Sequence, residues 1–554
     1  MTGITVGRLP EAAVSARSES APYLFRERAM ITEDQSAVID FLGSPSTHGG
    51  QSVERIETHS AIVFLIGARA LKLKRAVRFD YLDFSTSERR RVSCEAEVRL
   101  NRRTAPSLYR GVLAITRGTD GRLAIGDAGV PVDWVVDMTR FEEADVLDRR
   151  AAAGQLDLEL MRPLAEAIAR FHQAAEPRHD HGGRSGMAWV IDGNAAGFDE
   201  FGAGCLDAAA ARQVISDARA ALEHAAALLD RRRSAGFVRQ CHGDLHLRNI
   251  VLLDGVPTLF DAVEFNDEIS CVDVLYDAAF LLMDLWRRAL PRHANRLFNR
   301  YLFETGELEG VSLLGLFLSC RAAVRAKTSA TAAALHEDAT RREALRTLAR
   351  EYLDLAGRLL HPRPPTLVAV GGLSGSGKST LALALAPLVG AAPGAVVLRS
   401  DEIRKQLCGV PLFEPLGPEG YRPEISARVY ETMSARARAV LRGGHSVVLD
   451  GVYARCENRR EIEHLAATTS VPFAGFWLEA PESVLVARAA GRSNDPSDAD
   501  ASVIRLQSRQ DTGIIDWQRL DGAQSPEAVL RDAMARLSGC LSELSTVPAT
   551  PASS

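Results

Sequence analysis

The run Gly372-Leu373-Ser374-Gly375-Ser376-Gly377-Lys378-Ser379 constrains this chain more than any other stretch of its 554 residues. It follows the apolar run 366–371 and leads into a helix-forming run, 379–388. Glycines at 372, 375 and 377 let a tight turn aim backbone N–H groups inward, and a helix starting on that turn adds its positive end. Lys378 adds a point charge and Ser379 a hydroxyl suited to Mg²⁺, with Thr380 in the same first turn. The expectation is a cradle for the phosphates of ATP at a strand–turn–helix junction. Beyond it, strands at 395–398, 445–449 and 473–478 alternate with helices at 402–408, 422–441 and 457–467. Alternation with short connections predicts an α/β layer, a parallel sheet with flanking helices. A last helix at 526–537 starts from Ser525 as N-cap, with Pro526 in its first turn.

Polar residues fall where such a sheet would use them. Asp450 ends the apolar strand 445–449, the place for a carboxylate that positions Mg²⁺ and its water shell. Asp401, in Ser400-Asp401-Glu402-Ile403-Arg404, either accepts a proton from an acceptor hydroxyl, with Arg404 holding an anionic group, or caps its helix. Arg488 and Arg492 read as a basic lid able to neutralise a transferring phosphoryl group, against a plain solvated helix end.

The stiff run His361-Pro362-Arg363-Pro364-Pro365 is the clearest boundary. The domains expected are an irregular segment 1–50, a first domain 51–360, the linker 361–365, a second domain 366–542 and a disordered tail 543–554. In the first domain, two apolar runs around Gly67–Ala68 predict a β-hairpin over 60–77. Helical spacing covers 87–103, strand–turn–strand follows over 113–137, and helices dominate 156–350 except for a hairpin at 250–262 turning on Asp254–Gly255.

Cys241-His242-Gly243-Asp244-Leu245-His246-Leu247-Arg248-Asn249 is the densest chemical sequence here. Asp244 and Asn249 on one tight loop divide the labour of phosphoryl transfer: Asp244 takes or orients an acceptor hydroxyl, and Asn249 faces a metal. Asp261, across the hairpin, supplies a second carboxylate for Mg²⁺ and phosphates. A zinc site at the histidines is the weaker reading, and His246 is expected to orient the loop.

Composition narrows the class. The formal charge of −5 and the 46% hydrophobic share describe a globular protein, not a nucleic-acid coat. Its eight cysteines form no CxxC pair and read as reduced thiols. No secretory h-region opens the chain, and no apolar run is long enough for a bilayer, so a cytoplasmic, membrane-free protein is expected. Of 66 basic residues only five are lysines: Lys72, Lys74, Lys327, Lys378 and Lys405. In an arginine-dominated chain a retained lysine marks a place for a compact charge, unless codon bias alone explains the ratio.

Residues 366–537 resemble the small-molecule and nucleotide P-loop kinases, among them the gluconate-kinase, chloramphenicol-phosphotransferase, polynucleotide-kinase and zeta-toxin relatives. That resemblance implies phosphoryl transfer from ATP to a hydroxyl. HGDLHLRN with FDAVEFND resembles the aminoglycoside-phosphotransferase and choline-kinase group of protein-kinase-like folds, over about residues 51–360. It implies Asp244 as catalytic base and Asn249 and Asp261 as metal ligands. It also implies a strand lysine on the phosphates, Lys72 with Lys74 as runner-up, and a helix glutamate, Glu97 ahead of Glu95; Met138–Phe141 would be the adenine hinge. No GxGxxG precedes Lys72, a departure from the protein-kinase pattern. The whole order resembles bacterial bifunctional proteins of aminoglycoside-phosphotransferase and ATP-binding type.

The fold expected is therefore two-domain: an α+β bilobal protein-kinase-like fold followed by an α/β P-loop NTPase. The function expected is an ATP- and Mg²⁺-dependent phosphotransferase with two nucleotide sites acting on small-molecule hydroxyls. A nucleotide-sensing regulator with an inactive first domain is one rival. A kinase of nucleic-acid ends is another, opposed by the negative charge and the lack of an aromatic-plus-basic tract. Aminoglycosides themselves would need an acidic cleft, for which Asp261, Glu264, Asp267, Glu268 and Asp273 are the available carboxylates.

Overall fold

Alternating apolar residues build the first sheet. Along Ala61–Ile66 and Arg69–Lys74, Ile62, Phe64, Leu71 and Leu73 turn inward as the two strands pair antiparallel around Gly67. The structure, a computed structural model, describes residues 30–58, 60–79, 82–126, 129–491, 496–498 and 500–545. Its contacts divide the chain into two compact units, Met1–Arg287 with Leu316–Leu360, and Arg288–Gly315 with His361–Ser554. Residues 288–315, expected in the first domain, thus belong with the second unit.

The first unit holds a six-stranded antiparallel sheet, in the order Val53–Glu57, Ala61–Ile66, Arg69–Lys74, Val130–Thr139, Tyr109–Arg117, Leu123–Ile125. One face packs helix Ser87–Asn101 through Cys94 and Val98. The other face carries helix Ser36–Gly43, which occupies part of the segment expected to be irregular. Val38 and Leu42, four residues apart, bury one stripe of that short helix against Phe64, Leu71 and Leu73. After the sheet come mostly helices, interrupted by the hairpin Ile250–Leu253 and Val256–Leu259, with Asp254 and Gly255 at positive φ in its two-residue turn.

In the second unit every strand pair is parallel: Val396–Arg399, Val447–Asp450, Leu367–Gly372, Phe473–Glu479, Gln518–Asp521, in that order across the sheet. Val368, Val370, Val448 and Phe476 meet the glycine-turn helix Lys378–Leu385 and the last helix Pro526–Ser545 in one core. Parallel strands buried on both faces explain the near-continuous apolar runs. The strand Gln518–Asp521 and the helix Ala501–Ser508 were not anticipated, while helix Glu482–Ala490 places Arg488 in its last turn, as the helix-end reading expected. Part of the tail expected to be disordered, residues 543–545, continues the last helix; residues 546–554 lie outside the described residues. No helix of the described residues is long and apolar enough to cross a membrane.

Candidate active sites

In the first unit, period-two spacing sends Lys72 and Lys74 toward one helix residue. Lys72 Nζ lies 2.8 Å from Glu97 Oε1 and 2.7 Å from Asp261 Oδ1. Lys74 Nζ lies 2.6 Å from Glu97 Oε2 and also pairs with Glu264. Both strand lysines therefore share Glu97, whereas Glu95 faces solvent and pairs with Arg91. Burial works against the Lys72 charge, but Asp261 and Glu97 overrule it and hold the ammonium well above the usual lysine range. Burial would likewise raise Glu97; the two lysines instead hold it at about 2. Glu264 is raised by burial despite Lys74.

Asp261 sits at φ 63°, the left-handed region, where its backbone N–H donates to Tyr109 Oη at 3.1 Å. The residues of the 241–249 loop meet around the Asp244 carboxylate. Asn249 Nδ2 donates to Asp244 Oδ2 at 3.0 Å and to the Asp244 carbonyl at 2.9 Å. His246 Nε2 is 3.4 Å from the same carboxylate. Burial raises the Asp244 carboxyl, yet the charges of His246 and Arg325 bring it below its ordinary value. Asp244 Oδ1 is buried with no hydrogen-bond partner, a costly state that fits an oxygen reserved for a substrate hydroxyl.

Asp277 holds the loop from beneath. Its carboxylate accepts the backbone N–H groups of His242 (3.2 Å) and Gly243 (2.8 Å), and His172 Nε2 lies 3.1 Å away. Gly243 has φ +81°, and a Cβ there would stand 3.1 Å from the Ile269 carbonyl. His172, Cys241 and Asp277 present ligand-type atoms within 4.8 Å of one another. Each is engaged: Asp277 as described, and Cys241 Sγ with the Val272 carbonyl at 3.5 Å. That makes them a hydrogen-bonded anchor, while the hard oxygens of Asn249 and Asp261 are donors that would suit Mg²⁺.

The five carboxylates weighed for an acidic cleft are all paired. Asp261 meets Lys72, Glu264 meets Lys74, Asp267 meets Arg178, Glu268 lies 3.7 Å from His181, and Asp273 is 2.7 Å from buried Arg232.

In the second unit the glycine turn opens helix Lys378–Leu385. Gly375 has φ +85°, and a Cβ there would sit 2.4 Å from the Leu485 carbonyl, so no side chain fits. Lys378 is buried, and among the described residues no carboxylate lies within ion-pair distance of it. The Ser376 hydroxyl is buried without a partner, and the Ser374 N–H donates to Gln507 Oε1 at 2.9 Å. Asp450 Oδ2 receives Arg399 Nε at 3.0 Å while its Oδ1 is buried without a hydrogen bond. That unpartnered oxygen and the Ser379 hydroxyl are oxygen donors fit for Mg²⁺ or its waters.

Arg399 is the N-cap residue of helix Ser400–Cys408, so Asp401 lies in the first turn and is not its cap. Arg404 Nη1 donates to the Gly420 carbonyl at 2.7 Å and to Ser426 Oγ at 3.1 Å. Arg488 Nη1 donates to the Gly522 carbonyl at 2.6 Å. Arg492 lies outside the described residues. Sequence reasoning missed Arg399 and Gln507, and it weighed Glu264 only as a carboxylate of an acidic cleft. Lys405 carried a signal, as one of the five lysines.

The family matches follow the same order along the chain, although the phosphotransferase match takes in residues 288–312, which pack with the second unit. The model of the phosphotransferase enzyme family matches residues 71–312, and a model described as an AAA domain matches 367–511. Rv2004c, an uncharacterized protein of Mycobacterium tuberculosis, is 32% identical over 468 residues, covering 82% of this chain and 90% of its own. Adenylyl-sulfate kinase of Myxococcus xanthus is 30% identical over 118 residues, covering 21% of this chain and 59% of its own. Among solved structures, a gluconokinase from Sinorhizobium meliloti is 24% identical with TM-score 0.24, covering 33% of this chain and 95% of that one. Amicoumacin kinase hAmiN is 14% identical with TM-score 0.36, covering 58% and 94%.

Proposed function

Because this chain belongs to the same family as the mycobacterial protein, a phosphotransferase-family unit followed by a P-loop kinase unit, we propose that it is an ATP-dependent kinase working at two separate nucleotide sites. Each site phosphorylates a hydroxyl of a small molecule. The observation that carries the reading is a buried carboxylate oxygen without a hydrogen bond in each unit: Asp244 Oδ1 in the 241–249 loop, and Asp450 Oδ1 opposite Val370 on the strand that leads into the glycine turn.

In the first unit, Lys72, braced by Glu97, steadies the ATP phosphates. Asn249 and Asp261 would hold Mg²⁺, which supplies charge neutralisation across the phosphates when bound. Asp244, oriented through Asn249, takes the acceptor proton as the hydroxyl oxygen bonds to the γ-phosphorus. The bond from that phosphorus to the β–γ bridging oxygen breaks, and ADP leaves. In the second unit the 372–379 backbone and Lys378 cradle the phosphates, Ser379 and Asp450 would hold the metal and its waters, and Asp401 serves the acceptor hydroxyl. Arg488 stands at the nucleotide side through its bond to Gly522.

The full pairing of Asp261, Glu264, Asp267, Glu268 and Asp273 argues against a polycationic acceptor. The negative net charge argues against nucleic-acid ends. ATP turnover by wild type, Asp244→Ala and Lys378→Ala, each offered pools of sugars, amino alcohols, nucleosides and aminoglycosides, tests the reading. Two independent acceptor-dependent activities, each abolished by one substitution, are expected. An acceptor signal untouched by Asp244→Ala would remove the first site.

A further inference from the structure

Lys405 lies on helix Ser400–Cys408, one position past Arg404, and only 1% of its side chain is exposed. An ammonium buried that deeply is costly without an anion. Its anion comes from 93 residues further along the chain: Asp498 Oδ1, at 3.0 Å. The second oxygen, Asp498 Oδ2, receives the Leu416 backbone N–H at 3.0 Å and the Tyr421 hydroxyl at 3.2 Å. Three donors of different kinds thus converge on one carboxylate, the arrangement of an anion cradle.

The cradle lies next to the acceptor side of the site. Asp401 stands one turn before Lys405 on the same face of helix Ser400–Cys408, and the Tyr421 phenol is pushed up by burial and then by the charges of Asp498 and Asp401. The Arg404 guanidinium sits 4.9 Å from the Tyr421 ring centre, and its Nε is buried without a hydrogen-bond partner. Two cations, Arg404 and Lys405, and two neutral donors, the Leu416 N–H and the Tyr421 hydroxyl, thus follow Asp401 on this side of the helix.

We propose that Lys405, the Leu416 N–H and the Tyr421 hydroxyl form a subsite for a small oxyanion, a carboxylate or phosphate carried by the acceptor of the second unit, and that Asp498 fills this subsite as an internal stand-in. The inference rests on the reading of the second unit as a kinase with Asp401 at its acceptor. It makes that acceptor an anionic hydroxy compound, and it makes displacement of Asp498 part of acceptor binding.

The test uses the full chain with its nucleotide sites saturated by AMP-PNP and Mg²⁺, so that added anions do not simply enter the phosphate cradle. Inorganic phosphate and acetate are titrated separately by calorimetry into wild type, Asp498→Ala and the charge-neutral pair Lys405→Met/Asp498→Ala, which keeps a folded control. Asp498→Ala is expected to bind one of the two anions about tenfold or more tighter than wild type, with the gain abolished in the double variant. Which anion gains decides between carboxylate and phosphate. Tyr421→Phe in the Asp498→Ala background should give back part of the gain. Equal weak binding of both anions by wild type and Asp498→Ala, with AMP-PNP still bound, overturns the subsite alone. Failure of the wild-type chain to bind AMP-PNP overturns the kinase reading and this inference with it.

Discussion

Lys72 Nζ and Asp261 Oδ1 stand 2.7 Å apart although 189 residues separate them. The ion pair joins the strand Arg69–Lys74 to the residue just after the hairpin strand Val256–Leu259, so the strand lysine and the hairpin carboxylate are held as one assembly. Both partners keep partial contact with solvent, with side-chain exposures of 19% and 34%. Glu97, completely buried, keeps Lys72 in place from the other side.

The two strand lysines should separate by effect. Lys72→Met is expected to lower acceptor-dependent turnover of the first unit by about 10²–10³-fold, the usual cost of losing a preorganised charge at a transition state. Its effect on folding should be the smaller one. Lys74→Met leaves Glu264 and one oxygen of Glu97 buried without their cation, and should cost about 3–5 kcal/mol. Urea unfolding and steady-state kinetics on both variants check this; equal destabilisation by both would refute it.

Gly375→Ala should remove nucleotide binding from the second unit while leaving the first unit's activity intact. The added methyl meets the Leu485 carbonyl at 2.4 Å and requires a backbone angle that L-residues rarely adopt. Equilibrium binding of a fluorescent ATP analogue, compared with Lys378→Ala, measures it.

Asp244 keeps its charge to low pH. Its folded carboxyl lies below the ordinary 3.8, so its contribution to stability is present above that value and is lost only as pH falls through the lower folded value. The kcat/KM of the first unit should accordingly show no acid limb from this group between pH 8 and about 5. An acid limb within that range would refute it.

Lys327 also makes stability rise with pH, but as a cost relieved rather than a gain acquired. It is fully buried on helix Leu314–Leu335, its aliphatic stem passing where Gly197 has no side chain, and burial pulls its ammonium from 10.5 down to about 7. Between these values the unfolded chain binds a proton that the folded chain does not, so stability rises with pH. Lys327→Met should raise the thermal midpoint most below pH 7, with the advantage fading toward pH 10. Parallel pH–melting curves for the two proteins decide it.

The catalytic loop was readable because its chemistry is local: Asp244 and Asn249 are five residues apart, and the glycine turn from Gly372 to Ser379 sits between a strand and a helix that periodicity reveals. The Lys72–Glu97 pairing was readable through resemblance and alternation together. What stayed hidden depends on distant chain segments. Glu264 acquires its meaning only when Lys74, 190 residues away, reaches it. Gln507 meets the Ser374 N–H across 133 residues, and no local pattern marks a glutamine for that task. The strand Gln518–Asp521 has four residues, of which only Leu520 is buried, too little apolar signal for a strand. The scarcity of lysine was the better guide than it first seemed: Lys74, Lys327, Lys378 and Lys405 are all buried, and Lys72 lies mostly so.

Two asparagines ahead of the proline run have a practical meaning. Asn299 Oδ1 accepts the Val397 N–H at 2.6 Å, and Asn295 Nδ2 donates to the Pro393 and Ala395 carbonyls at 3.1 and 3.0 Å, along the outermost strand of the parallel sheet. A gene fragment begun at Thr366 would discard both amides and bare that border to any passing chain. The natural scissors mark at the prolines is thus a false one: whoever wishes to isolate the second unit must carry Arg288–Gly315 along with it.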